Sequence, residues 1–370
     1  MFDLSMSDQF AKIKVIGVGG GGGNAVNRMI EEGLRGVEFI VVNTDGQVLE
    51  ASKAPTKVLI SVEDGKTKPG RGAGGNPTIG KAAAINAKKQ LEELLKDGEM
   101  VFITCGMGGG TGTGAAPVIA EIARNIGALT VGIVTRPFSF EGKRKMDLSL
   151  EGIDELKKHV DTLIVIPNDK LREIIDPTTE LDKAFRAVDG VLHSAVQSIS
   201  DLISVVGLIN LDFADVKSVM ENSGNALIGI GMGVGENRAV DAAKQAVSYP
   251  LLETSIHGAT DAIINVTGSS NLTLYEAEQA VEVVRAAANT DINTIFGVVI
   301  NESLSDEVIV TVIATGFEKG QAKPLYNQLN TTGKRTTPDV GYTGDTEEED
   351  SGSNYEPTEV EIPSFMHRNF

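Results

Sequence analysis

The stretch from Met100 to Ile126, MVFITCGMGGGTGTGAAPVIAEIARNI, decides how this chain is read. Residues 100–104 form an uninterrupted apolar run, which reads as a buried strand. Residues 115–126 have the composition and spacing of a helix. Between them lies Gly108-Gly109-Gly110-Thr111-Gly112-Thr113-Gly114. Glycine inside regular structure costs about 0.5–1 kcal/mol relative to alanine. A concentration of it marks backbone that must approach something closely or adopt positive φ. At a strand-to-helix turn, the free amides of such backbone suit an anion.

Working outward, the same arrangement recurs earlier. Gly17-x-Gly19-x-x-Gly22 follows a strand at 12–18 and opens a helix expected over 24–33. With Asp45 placed 23 residues beyond Gly22, this matches the dinucleotide fingerprint and by itself permits a dehydrogenase. A dinucleotide fold needs one such turn, and this chain has two at neighbouring strand ends. Together they can surround a longer phosphate chain, with amides from both turns and hydroxyls from Thr111 and Thr113. Gly75-x4-Gly80-Lys81 imitates a P-loop, but Ala82 stands where the cation-binding hydroxyl belongs and no strand precedes it.

The remaining pattern supplies the fold. Apolar runs at 37–42, 129–134 and 162–166 read as strands. Residues 80–96, 115–126 and 147–159 read as helices. Continuous apolar strands alternating with helices predict a doubly wound parallel sheet covered on both faces. Residues 180–206 predict a long helix with Leu181, Phe185, Val188, Leu192, Val196, Ile199 and Ile203 at helical spacing. Strands at 226–231, 261–266, 295–300 and 307–315, with helices near 236–247 and 274–288, predict a second, smaller α/β domain. The expected organisation is an N-terminal extension (1–11), a nucleotide-binding α/β domain (12–180), a connector helix (181–209), a second domain (210–318), an acidic disordered linker (319–358) and a C-terminal peptide (359–370). The linker reading rests on residues 345–361, with eight acids and no base.

Composition narrows the class. The chain has 370 residues, enough for two domains. A single cysteine excludes an internal disulfide framework. A net charge of −18 argues against binding a nucleic acid backbone. No run approaches the length of a membrane helix, so direct membrane insertion is not expected. Residues 1–12 carry no signal-peptide pattern, which makes a cytoplasmic protein the default. No metal-ligand motif is visible. His159, His193, His257 and His367 show no associated motif, which weakens the dehydrogenase reading. Cys105 reads as a small packed residue.

GGGTGTG, with VGGGGGNAVNRM, VNTD, RGAGGNPTIG, TRPFSFEGK, TLIVIPND and NLDFADVK in the same order, resembles the tubulin and FtsZ GTPase family, and its FtsZ branch more than tubulin. The resemblance spans nearly the whole chain. It implies a GTPase, with GTP/GDP and Mg²⁺ as cofactors, that polymerises head to tail into the filaments of the division ring. It places the GTP phosphates against Gly19, Gly20, Gly21, Gly22, Gly23 and Asn24, and against Gly106, Gly108, Gly109, Gly110, Thr111, Gly112, Thr113 and Gly114. It turns the loop 70–77, with Gly74, toward the γ-phosphate, and Asp45 is taken with this set. Glu141 matches the ribose contact. Lys145 stands where the family usually has arginine and supplies a point charge in place of a planar fork. Gly23 stands where asparagine is frequent.

Phe185 and Asp189 match the positions that stack on and hydrogen-bond the guanine, with Asn168 nearby; by periodicity alone, Phe185 equally suits the helix core. Asn210, Asp212 and Asp215 match the loop that enters the nucleotide site of the next subunit and helps position water and cation. Read by themselves, Asp212 and Asp215 equally suit a helix cap. EIPSFMHRN resembles the peptide that docks on membrane-anchoring division proteins, which would hold the filament at the division site. A relative that binds GTP without hydrolysing it is the remaining alternative.

Overall fold

The computed structural model describes residues 11–62, 68–171, 178–204, 207–209, 211–248, 255–289 and 291–317. Asn210, the linker and the C-terminal peptide lie outside the described residues, as does the extension up to residue 10. The first half alternates strand and helix: β1 (Ile13–Val18), α1 (Gly19–Glu31), β2 (Val37–Asn43), α2 (Gly46–Ala51), β3 (Thr56–Leu59), α3 (Pro77–Asn86), α4 (Lys88–Leu95), β4 (Met100–Gly106), α5 (Thr111–Asn125), β5 (Leu129–Arg136), α6 (Lys143–Leu156), β6 (Thr162–Pro167) and α7 (Asn168–Leu171). The chain continues through α8 (Leu181–Ser204), α9 (Phe213–Met220), β7 (Gly224–Asn225), β8 (Leu227–Gly233), α10 (Arg238–Val247), β9 (Asp261–Gly268), α11 (Leu274–Ala288), β10 (Asn293–Ile300) and β11 (Val308–Thr315).

The first sheet runs β3-β2-β1-β4-β5-β6-β7 and is parallel throughout. At its centre Val15 sits opposite both Phe39 and Phe102. Its strands are buried on both faces, which is why they read as continuous apolar runs. One face packs against α1 and α8 through Met29, Phe102, Leu192 and Ile199. The other packs against α3, α4 and α5 through Leu91, Leu95, Ile103 and Ile119.

The second sheet, β10-β9-β11-β8, is mixed: β9 and β10 are parallel, and β11 runs antiparallel to β9 and β8. The two sheets are not separate bodies. Ile263 and Ile313 of the second share one core with α8 and α9. The strand pair Gly224–Thr162 also returns a piece of chain beyond residue 210 to the first sheet.

Three differences from the sequence reading have plain causes. Helix α1 begins at Gly19, five residues earlier than residue 24, so the first glycine cluster is helix and not loop. A Cβ on Gly22 would lie 2.3 Å from the Thr104 carbonyl oxygen and on Gly17 2.4 Å from that of Gly22. These glycines let α1 press onto β1 and β4. Helix α5 likewise starts at Thr111, within the GGGTGTG segment. Finally β3, α2 and β7 are too short to show periodicity above their surroundings, and the spacing over 80–96 resolves into two helices, α3 and α4.

Candidate functional site

A cleft of about 300 Å³ opens at the C-terminal ends of β1, β4, β5 and β6. That is where parallel sheets place their ligands, because the loops diverge there and helix N-termini converge. Helices α1 and α5 both aim their first turns into it. Gly20, Gly21 and Asn24 line it from α1, and Gly106, Gly109, Gly110, Thr111 and Gly112 from the β4–α5 turn. The two turns touch: a Cβ on Gly19, whose φ is +73°, would lie 2.9 Å from the Gly112 nitrogen. Thr44 and Thr111 share a hydrogen bond between their hydroxyls at 2.7 Å, tying the β2 end to α5.

Other residues singled out from the sequence hold the cleft's frame. Gly22 and Gly23 pack on Thr104 and Val41. Thr113 is buried, and its hydroxyl accepts the Gly108 amide at 2.8 Å. It therefore braces the turn from behind, where the sequence pattern had suggested a phosphate contact. Gly114 packs on the first turn of α3, where a Cβ would fall 1.9 Å from the Pro77 carbonyl oxygen. Gly108, at φ +96°, backs onto the Lys145 backbone. Asp45 caps α2, accepting from the amides of Gln47 and Val48 at 2.9 and 3.3 Å. In a dinucleotide fold that acid would hold a ribose. Gly74, at φ +58°, lies in a loop whose Ala73 and Gly75 abut Gly110, so it borders the cleft without lining it. Cys105 is fully buried, and burial pushes its thiol up to about 12, which leaves it inert.

The opposite wall carries the polar recognition groups. Glu141 accepts the Phe138 amide at 2.8 Å through one oxygen and pairs with Lys145 through the other. Phe185 is 39% exposed on α8 at the edge of the cleft, so it is not the core residue its periodicity allowed. It meets Phe138 edge-on at 5.5 Å, and Phe138 stacks on Phe140 at 5.1 Å. Phe138 supports the exposed ring and was not among the residues picked from the sequence. A phenylalanine in PFSFEGK carries no spacing signal that separates support from core.

Asp189 lines the cleft one helical turn beyond Phe185. Burial raises its carboxyl to about 7, opposed by the positive charge of Arg28. Among the described residues it has no hydrogen-bond donor. Asn168 is buried, and its Oδ1 also lacks a partner among the described residues. Buried acceptors without donors are costly unless a ligand supplies them. A guanine ring presents adjacent N–H donors at N1 and the exocyclic amine, which a carboxylate accepts together. Adenine presents an acceptor at its N1 and does not fit. The exposed aromatic ring, the unfilled acceptors and the amides of two helix starts together fit a guanine nucleotide.

Asp212 and Asp215 stand elsewhere. They form a reciprocal cap at the start of α9: Asp212 accepts the Asp215 amide at 2.8 Å, and Asp215 accepts the Asp212 amide at 3.1 Å. Helix α8 has 24 residues and spans about 36 Å. It starts at the cleft and ends with Ser204 against Gly36, just before β2 begins. Helix α9 ends beside Thr162, the first residue of β6, whose hydroxyl donates to the Met220 carbonyl. The two acids therefore lie at the N-terminal edge of the sheet, across the molecule from the cleft. Among the described residues no group of three or more His, Cys, Asp or Glu is gathered to hold a metal ion.

Sequence comparison finds the GTPase domain of the Tubulin/FtsZ family over residues 12–176 and the C-terminal domain of the FtsZ family over 224–318. Among solved structures, an empty FtsZ dimer from M. jannaschii is 48% identical. The match covers 84% of this chain and 89% of that one, with a TM-score of 0.77. A point mutant of M. jannaschii FtsZ is 47% identical over 84% of this chain and 93% of that one, at 0.78. A GTPγS-bound protofilament of CetZ2 from Haloferax volcanii shares the fold at 20% identity, over 84% and 94% of the two chains, at 0.70.

Proposed function

The chain belongs to the FtsZ family of tubulin-like GTPases, and from that membership we propose that it hydrolyses GTP only when assembled head to tail, each subunit's Asp212 and Asp215 completing the cleft of the next. The observation that carries this reading is the separation of the two halves. The cleft has the amides and base acceptors to bind a nucleotide. The acids that would orient water and cation do not line the cleft; they cap α9, the helix that follows α8. Phosphoryl transfer depends on positioning and charge compensation, so a cleft lacking those groups binds without turning over efficiently. A heterologous contact that brings one end of a subunit to the opposite end of another does not close, and it generates a filament.

In this reading the amides of α1 and α5 hold the phosphates, and Glu141 and Lys145 hold the ribose side. Phe185 covers the base while Asp189 and Asn168 meet its edge. Asn210 acts with the two acids. Mg²⁺ bound with the phosphates would supply charge compensation there, with Asp212 and Asp215 of the next subunit turned toward it. Acids at an exposed cap retain lone pairs for this second task, because each carboxylate uses only one oxygen in the cap. The filaments form the division ring in the cytoplasm. Residues 359–370 tether them to membrane-anchoring proteins.

The test is complementation. Asp212→Asn alone binds GTP and assembles but releases little phosphate. Mixed with a chain whose cleft is disabled by Thr111→Arg, it regains turnover, because intact acids then face an intact cleft. Normal phosphate release by Asp212→Asn alone, with no gain on mixing, overturns the shared site. Deleting 359–370 leaves sedimentation with GTP unchanged; loss of sedimentation would remove the tether reading.

A further inference from the structure

The second sheet carries an exposed apolar patch. Leu274 and Tyr275 are 80% and 67% exposed, and Val234 is exposed beside them in the fold. All three lie where β8 and β9 end and α10 and α11 begin. A buried arginine builds this edge. Arg238, at the start of α10, donates from Nε to Glu276 at 2.7 Å, from Nη1 to the Asp306 carbonyl at 3.1 Å and from Nη2 to Asn271 Oδ1 at 2.9 Å. It thereby ties α10 to the first turn of α11, to the turn before it and to the loop between β10 and β11. The Asn271 amide in turn donates to the Asp306 carboxylate at 3.1 Å.

Charge marks the same edge. Residues 233–238, 268–276 and 300–307 hold five acids and one base, Arg238, which Glu276 neutralises. What faces outward is therefore acidic, with Glu302 and Asp306 exposed. The edge adjoins the segment that leads to Asp212, since the Leu208 amide donates to the Val298 carbonyl at 2.8 Å, near the end of β10. None of these residues lines the cleft.

The rim of the cleft shows the reverse sign. Phe140 is 64% exposed, stacked on Phe138. Lys143 and Arg144 follow it, exposed in the first turn of α6. A helix N-terminus disfavours bases. Neither has a hydrogen bond or ion pair among the described residues, whereas Lys145 next to them is paired with Glu141.

We propose that these two patches are the halves of the head-to-tail contact: Leu274 and Tyr275 of one subunit cover Phe140 of the next, and Glu302 and Asp306 face its Lys143 and Arg144. This rests on the head-to-tail reading and names the surface that carries it. The occupant is a second copy because one chain supplies both an apolar patch ringed by acids and an apolar patch beside unpaired bases, which are complementary. A chain with a net charge of −18 repels its own copies on average, so association needs a local reversal of sign to orient it. With one patch of each kind per copy, the contact is heterologous and repeats.

Charge reversal in the full chain tests this. One variant carries Lys143→Glu and Arg144→Glu, the other Glu302→Lys and Asp306→Lys. Sedimentation with GTP and phosphate release are followed over a concentration series. Each variant alone sets like charges across the contact, and its assembly threshold rises by about tenfold or more. GTP binding to the dispersed chains, read by calorimetry, stays unchanged, because no altered residue lines the cleft. An equal mixture of the two assembles at the threshold of the unaltered chain, since the rim of each then meets the edge of the other with opposite sign. A chain carrying all four substitutions does so by itself. Either double variant assembling at the unaltered threshold, or a loss that neither the mixture nor the fourfold variant recovers, overturns the proposal. The head-to-tail reading falls separately, if the unaltered chain fails to sediment with GTP.

Discussion

The two ends of the parallel sheet hold their polar groups in opposite conditions. At the C-terminal end, among the described residues, the buried Asn168 Oδ1 and the half-buried Asp189 carboxylate have no donor, and Phe185 presents an exposed ring. At the N-terminal end, Asp212 and Asp215 satisfy each other in a reciprocal cap. The first end advertises a ligand by what it lacks. The second is locally complete, and within one chain it shows only a well-capped helix. The further role proposed for it rests on the family to which the chain belongs.

The sharpest way to break this contrast is Asp212→Asn. Asparagine caps a helix as well as aspartate does, so α9 keeps its start while the charge is lost. Phosphate release is expected to fall by about 10²–10³-fold, the scale of losing one preorganised transition-state group. Calorimetry with GTP should show binding intact. A parallel loss of thermal stability would return the acids to a purely structural role.

A smaller effect separates frame from contact at the cleft end. Gly114→Ala forces a methyl onto the Pro77 carbonyl and should cost about 1–3 kcal/mol of stability. Gly109→Ala meets nothing within 4 Å and should change stability by less than about 0.5 kcal/mol, its effect confined to nucleotide affinity. Denaturant unfolding of the two variants distinguishes them. Equal losses would mean that both glycines serve packing.

The smallest effect probes an exception near the far end. Asp201 on α8 is half-buried and bonded to Gln197, and burial raises its carboxyl from 3.8 to about 6. Between those values the folded chain holds a proton that the unfolded chain has released, so stability declines as pH rises through that window. At neutral pH the ionised group is a net cost. Asp201→Asn should therefore stabilise by about 1 kcal/mol at pH 7 and lose that advantage below about 4. A destabilised variant at neutral pH would show that the charge there has a partner of consequence.

The strand runs, the long helix α8 and both glycine-rich turns were legible in the sequence because each rests on local periodicity or on a residue with unusual backbone freedom. The parallel order of the strands followed from the same alternation. The individual duties of the glycines were not legible. Gly20 and Gly109 face the cleft while Gly22 and Gly114 are pressed against carbonyls, and only close approach between distant segments separates them. Thr113 and Asp45 each accept nearby backbone amides, contacts decided by turn geometry and not by local sequence. Phe138 and the Arg238 contacts join residues far apart in the chain.

By itself the sequence determined which segments are strand or helix and that backbone amides would gather at two strand ends, since both follow from short-range sterics and hydrophobic patterning. The tertiary structure alone decided which of the described polar groups are left without partners, and that the binding groups line a cleft to which the candidate catalytic acids at the start of α9 do not contribute, because burial and separation are properties of packing between segments distant in the chain.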